Sequence, residues 1–346
     1  MIKKRVLCLL LAFCLCLLGA CGKADTVEMD SEENGNGDTV TIGISFDSFL
    51  IERWERDRDI FVTTARDAGM EVNVQNANGD VDTQIEQISY FIEKKVDAIV
   101  IIAIDAKKLT GVVAQAKEAG IPVIAYDRML TDAGADLYVS FDNVRVGELM
   151  AESISENEDV DSVLMLSGPL EDANVTQVNE GFEKVCKEKN INITETFYTP
   201  NWTPELASDY LRKHPEKIDG VDAIMCGNDN IATQVVRVLS ERKKAGTIEV
   251  CGQDADLEAC QRIVQGTQLM TVYKPVEKEA QAAAKAVIDL ISGKEPRGIN
   301  KSLSDGTFDV PSIILEPVAV TKDNMDQTIV ESGFHRYDEV YLYTPQ

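Results

Sequence analysis

Polar side chains recur in this sequence at one kind of place, the few residues that follow a short apolar run. Asp47 follows TIGISF, Asp127 and Arg128 follow PVIAY, and Asp142 and Asn143 follow DLYVSF. The second half repeats the habit with Asp172 and Asn174, Asn201 and Trp202, Asn228 and Asp229, the group Gln253, Asp254 and Asp256, and Lys274. Carboxylates and amides can bridge neighbouring hydroxyls, an Arg donates through a rigid fork, and charge assistance strengthens each bond once water is excluded. The chain has two tryptophans, Trp54 and Trp202, one in each half and each behind a strand-like run, with Arg53 and Asn201 beside them. A flat indole covers the apolar C–H face of a ring whose rim is polar. The chemistry implied is the grip on a compact polyhydroxylated ring. For any single Asp or Asn at such a position, capping a helix or making a turn is the commoner role, so the reading rests on the set.

The elements that must position these groups are βα units. From residue 39 the chain gives TVTIGISF, EVNVQNA, AIVIIAI, PVIAY and DLYVSFD, with helix-like stretches at 51–68, near 82–94 and near 107–119. A second series follows with SVLMLSG, ITETFYT, AIMCG, IEVCG and LMTVYK. Strands that are nearly continuous in apolar residues belong to parallel sheets covered by helices on both faces. The expected fold class is α/β, with two doubly wound parallel-sheet lobes, and such sheets bind ligands beyond the carboxyl ends of their strands. After Lys274 come an alanine-rich helix, 276–292, and the segment VPSIILEPVAV, together too small for a third domain.

Length and composition fit this picture. At 346 residues the chain exceeds the usual single core. It carries 59 acids against 34 Lys plus Arg, a formal charge of -25, which disfavours a nucleic-acid partner because phosphate binding needs a basic footprint. Residues 1–20 read as an export signal: Lys3, Lys4 and Arg5 precede the apolar run Val6 to Leu18, which is short for a membrane span. The run ends in Leu18-Gly19-Ala20-Cys21, a lipobox-like sequence that makes Cys21 the expected lipidation site and membrane anchor. Removing three cations and no acids would take the formal charge from -25 to -28. Residues 21–38, rich in Gly, Asn and acids, read as a flexible acidic tether. Cys186, Cys226, Cys251 and Cys260 lack zinc-site spacing and are expected as free thiols.

A family resemblance gathers these features. LIERWERDRDIFV, VQNANGD, AYDRM, SFDN followed by VGEL, GND, GQDADL, GTQLMTVYKP and SGFH, in this order and over about residues 40–336, resemble segments of the D-xylose-binding proteins, the ribose/xylose/galactose-binding group of type I periplasmic sugar-binding proteins that serve ABC importers. The resemblance implies that Arg53, Asp127, Arg128, Asp172, Asn174, Asn228, Asp254 and Lys274 hydrogen-bond a sugar and that Trp54 and Trp202 stack on it. LSGPLEDANVTQ, which contains Asp172 and Asn174, departs most from the family pattern. It further implies lobe I from 39–142 with about 275–305, lobe II from 143–274 with about 306–346, and a multi-strand hinge between them. The calcium loop of related glucose/galactose binders has no counterpart, so neither metal nor cofactor is expected. The implied protein is an exported, monomeric lipoprotein at the outer face of the cell membrane that captures a monosaccharide, most readily D-xylose, and delivers it to an ABC permease. Presentation of the closed form to a membrane histidine kinase is the alternative output.

An enzyme is the rival class, since doubly wound folds host many reactions. The chain has no GxSxG elbow, P-loop or strand-to-helix GxGxxG. Its two histidines, His214 and His335, lie away from the strand-end set and are expected at the surface. Asp254 and Asp256 resemble a glycosidase pair, but holding a free sugar uses the same groups. A sugar-responsive transcription regulator would begin with a basic helix-turn-helix, which this chain does not.

Overall fold

In the computed structural model, which describes residues 39–344, the apolar runs form strands and the amphipathic stretches form helices. The signal peptide, Cys21 and the tether expected over residues 1–38 lie outside the described residues. The first series runs β1 (Thr41–Phe46), α1 (Arg53–Asp67), β2 (Glu71–Asn76), α2 (Val81–Lys94), β3 (Ala98–Ile101), α3 (Thr110–Glu118), β4 (Val123–Tyr126) and β5 (Leu137–Phe141). The second runs α4 (Asn143–Ser155), β6 (Ser162–Ser167), α5 (Ala173–Lys189), β7 (Asn192–Tyr198), α6 (Glu205–Lys213), the short α7 (Glu216–Asp219), β8 (Ala223–Cys226), α8 (Asp229–Glu241), β9 (Glu249–Gln253), α9 (Leu257–Gln265) and β10 (Met270–Tyr273). The chain returns through α10 (Val276–Ile291), β11 (Lys301–Ser304), β12 (Asp309–Leu315), β13 (Val318–Val320) and α11 (Tyr337–Val340).

Two sheets result, in the orders β2-β1-β3-β4-β5-β12-β11 and β7-β6-β8-β9-β10-β13. The first five strands of each follow one parallel scheme, so the two lobes repeat each other. The returning segment corrects the expected boundary near residue 306. β12 pairs in parallel with β5, from Ser312 against Tyr138 to Leu315 against Phe141, and antiparallel with β11, so residues through Leu315 belong to the first sheet. Only β13, antiparallel to β10, joins the second. The chain therefore passes between lobes after Phe141, after Lys274 and after Leu315, and the three crossings form the hinge. VPSIILEPVAV is two strands because Glu316 and Pro317 interrupt it, proline supplying no ladder donor.

Helices α1 and α10 pack against each other in the first lobe. In α1 the buried positions Arg53, Asp57, Phe61 and Ala65 recur every fourth residue and form one inward stripe, ionic at its start and apolar at its end. In α10 the buried stripe Val276, Glu279, Ala280, Ala283, Ala284 and Val287 is made of small side chains with one acid among them, which lets the helix approach α1 closely. In the second lobe α4 and α5 touch at Gly147 and Gly181, where a Cβ would strike the carbonyls of Val178 and Val144.

Cys186, Cys226, Cys251 and Cys260 are free and buried. His214 is exposed, but His335 corrects its expected surface role: it is 7% exposed, with its ring Nε2 2.8 Å from the Ala255 carbonyl. Burial holds its basicity below that of a free imidazole, and the contact places the C-terminal segment beneath the strand-end loop after β9.

Candidate functional site

The strand ends of both lobes face each other, and the backbone there is bent by unusual torsions. Asp127, Trp202 and Asp254 have φ of 61°, 55° and 97°, in the left-handed region where side chains other than glycine are uncommon. Beside Trp202, a Cβ on Gly168 would drive into the indole ring, so only glycine lets the β6 strand end lie under it.

Nine of the ten residues expected at the site line one space between the lobes: Arg53, Trp54, Asp127, Arg128, Asp172, Asn174, Trp202, Asp254 and Lys274. Ile51 and Gln253 complete the wall. Asn228 is the exception: it does not line this space but caps α8, its Oδ1 accepting from the Ile231 N–H at 2.9 Å. Asp172 combines both roles, accepting from the Asn174 N–H at 2.9 Å as the cap of α5 while lining the space. Trp54 lies in the first turn of α1, not directly behind β1, and Trp202 in a tight turn after β7.

Ion pairs organise the lobe I wall. Arg53 donates from Nε and Nη2 to the two Asp57 oxygens at 3.1 and 2.9 Å, from Nη2 also to Glu279, and from Nη1 to Asp127 at 3.0 Å. Four of its five N–H groups are thereby used and one remains on Nη1. Its guanidinium carbon lies 4.5 Å from the Trp54 ring centroid, a cation–π contact that fixes the indole. Arg128 donates from Nη1 to Asp47 at 2.8 Å and to the Ala103 carbonyl at 2.9 Å, and its Nε lies 2.7 Å from Asp172 Oδ2. Its Nη2, with two N–H groups, has no acceptor among the described residues.

Several of these contacts join the lobes. Arg128 of lobe I meets Asp172 of lobe II, and Asn174 of lobe II donates to the Asp127 carbonyl at 3.1 Å and to its Oδ1 at 2.9 Å. Farther out, Asn230 Nδ2 donates to the Leu50 carbonyl at 3.2 Å. In lobe II, Trp202 Nε1 donates to Asp172 Oδ2 at 3.1 Å, and Lys274 Nζ stands 3.2 Å from Asp254 Oδ1.

Burial sets the proton affinities. It raises Asp47 and Asp172 above the usual carboxylate range, with Arg128 opposing it in both cases. At Asp127 burial acts the same way, but Arg53, Lys274 and Arg128 outweigh it and hold the carboxyl below its ordinary value. Four lining residues carry a buried polar atom with no hydrogen-bond partner among the described residues: the donor Trp54 Nε1 and the acceptors Asn174 Oδ1, Gln253 Oε1 and Asp254 Oδ1. Buried polar atoms are normally satisfied. A set with both donors and acceptors around a small space suits a neutral ligand whose hydroxyls do both.

Sequence reasoning left three members of this constellation unassigned. Asp57 is signalled by its i+4 spacing from Arg53 on one helix face, and Glu279 by an acid inside an apolar stripe. Tyr126, whose hydroxyl donates to Asp57, looks like any strand residue in the sequence.

Comparison with known proteins identifies relatives of this chain. Residues 42–295 match the periplasmic binding protein domain family. The chain is 38% identical over 306 residues to the D-xylose-binding periplasmic protein of Escherichia coli (strain K12), covering 87% of this chain and 92% of the relative. It is 39% identical over 308 residues to the D-xylose-binding periplasmic protein of Haemophilus influenzae, with 87% and 92% covered. Among solved structures, an ABC transporter solute binding protein from Clostridium phytofermentans with bound β-D-glucose superposes with a TM-score of 0.79 at 28% identity, over 87% of this chain and 99% of that one.

Proposed function

This chain belongs to the periplasmic binding protein family, in the branch of the D-xylose-binding proteins, and from that premise we propose that it captures a monosaccharide, D-xylose first among the candidates, and passes it to an ABC permease. The family consists of sugar-binding transport proteins, not enzymes. The observation that carries the reading is the space between the lobes: two tryptophans, polar atoms with no hydrogen-bond partner among the described residues, and the bare Nη2 of Arg128 surround it.

In the proposed mechanism the sugar contacts both walls and favours the closed arrangement through its differential affinity for it. Arg128 Nη2 and the Trp54 N–H donate; Asp127, Asp172, Asn174, Gln253 and Asp254 accept; Lys274 supplies a further cationic donor. Arg53, with one N–H left, contributes mainly by fixing Asp127 and Trp54. The protein works as a monomer, exported and anchored through lipidated Cys21, with no cofactor or metal. Calorimetric titration with D-xylose, L-arabinose, D-ribose, D-glucose and D-galactose tests the reading. One-to-one binding led by D-xylose at micromolar or tighter affinity, about -8 kcal/mol or better, supports it; no binding across the panel refutes it.

A further inference from the structure

Behind the sugar-facing wall, one guanidinium meets three carboxylates. Arg53 is bonded to Asp57 from its own helix, to Asp127 at the end of β4, and to Glu279 from α10, and all four side chains are at most 5% exposed. Two of the acids have additional donors: the Tyr126 hydroxyl donates to Asp57, and Asn174 Nδ2 donates to Asp127. Glu279 has none. Its Oε2 meets Arg53, while its Oε1 is buried without a partner among the described residues. Lys274 and Arg128 also act on Asp127, which leaves Arg53 as the cation that Asp57 and Glu279 share, and two carboxylates sharing one cation in a dry pocket favour holding a proton there.

We propose that Glu279 holds that proton and acts, as a neutral carboxyl on the returning helix α10, as a positioning residue that holds Arg53 against Trp54 and Asp127 for sugar binding. This rests on the sugar-binding function and adds a residue that does not line the site. The groups facing Glu279 are Arg53 and Asp57 from α1, Tyr126 and Asp127 from the end of β4, and Tyr138 from β5. β12, also packed on α10, has no titratable residue after Asp309. Burial is the main influence raising the Glu279 carboxyl well above the ordinary range; Arg53 opposes it, while Asp127 and Asp57 reinforce it.

A neutral acid can be replaced by an amide of the same shape, which gives the test its form. Glu279→Gln should bind D-xylose within threefold of the wild type at pH 7, whereas Glu279→Ala should bind at least tenfold more weakly. Should the alanine variant fail to fold, Glu279→Met fills the volume without supplying an acceptor. Stability reads the proton separately. The unfolded chain releases it near the ordinary glutamate value and the folded protein keeps it, so the wild type loses ground as pH rises. The Tm of Glu279→Gln minus that of the wild type should therefore widen from pH 5 to 8. A flat difference, or a glutamine variant as weak as the alanine one, would show an ionised Glu279 and overturn the proposal. Full affinity in the alanine or methionine variant would remove the positioning role. A wild type that binds no sugar of the panel would instead defeat the functional reading, while the Tm comparison would still locate the proton.

Discussion

Asp127 and Asp254 are structural counterparts, one in each lobe. Each follows the fourth strand of its sheet, and each donates its backbone N–H to a carbonyl of the fifth strand, Val139 at 2.7 Å and Val272 at 2.8 Å. Both have positive φ, and both have a cation beside the carboxylate, Arg53 at 3.0 Å and Lys274 at 3.2 Å. Left-handed torsions at such residues cost about 1 to 3 kcal/mol and persist only where the surroundings impose them. That the repeat keeps them in both lobes singles out the strand-end turn as the element that aims a carboxylate at the space between the lobes.

For Asp254 the consequence is measurable. Its Oδ1 has no hydrogen-bond partner among the described residues and the side chain is buried, so Asp254→Ala should cost about 2 to 4 kcal/mol of sugar affinity by removing a charge-assisted acceptor and leaving a ligand hydroxyl unpaired. Calorimetry with D-xylose measures it, and an unchanged affinity would take Asp254 out of the site.

The residues that face this space were legible because parallel strands put them at a fixed place, directly after an apolar run. That regularity located Asp127, Arg128, Asp254 and Lys274 without any contact information. Asn228 shows its limit, since a strand-end amide also serves a helix N-terminus, and in α8 that is the role its Oδ1 takes. The path of the returning chain was not legible. Whether residues 306–315 pair with β5 or β10 depends on hydrogen bonding between segments far apart in the chain, and both partners are apolar parallel strands. His335 was misplaced for a similar reason: only the fold brings the Ala255 carbonyl to it, 80 residues away in sequence.

Membrane attachment is expected to follow Cys21. Two or more acyl chains hold a protein stably on a bilayer where one does not, so Cys21→Ser should either leave the precursor uncleaved or release the protein. Detergent-phase partitioning followed by mass analysis of the N-terminus distinguishes the outcomes. A correctly cleaved serine variant that stays in the detergent phase would contradict lipid anchoring.

Asp229 should titrate near neutrality. Burial beneath the second lobe pushes its carboxyl up to about 7, although Thr271 and Gln268 donate to it at 2.6 and 2.8 Å. With the folded value raised above the ordinary one, its contribution to stability is complete below about pH 4 and is lost as pH rises through about 7. Carbon-detected NMR of the aspartate carboxyls should find a midpoint close to 7 that is lost in Asp229→Asn, and the Tm difference should shift toward the variant between about pH 4 and 7. A midpoint below about 5 would refute the assignment.

Trp202 is the residue where site and core meet, and separating its two contributions requires two substitutions. The indole lines the space between the lobes, donates to Asp172, and is only 8% exposed within the hydrophobic cluster that also contains Trp54 and Leu166. Removing it as Trp202→Ala should therefore weaken sugar binding by more than about 1 kcal/mol through lost stacking and burial, and should also lower the Tm of the sugar-free protein, because large-to-small truncations in a packed region typically cost about 3 to 5 kcal/mol. Loss of both properties does not by itself place the ring against the sugar. Gly168→Ala does, because it leaves the tryptophan in the chain and pushes a methyl group into the ring from beneath. The displaced ring should lose its alignment with Asp172, so affinity for D-xylose should fall by a larger factor than stability alone accounts for, and the change in intrinsic fluorescence on adding sugar should shrink or shift. If Gly168→Ala lowers Tm but leaves both the affinity and the fluorescence response as in the wild type, Trp202 supports the lobe without touching the ligand, and the stacking wall on that side must be assigned to another residue.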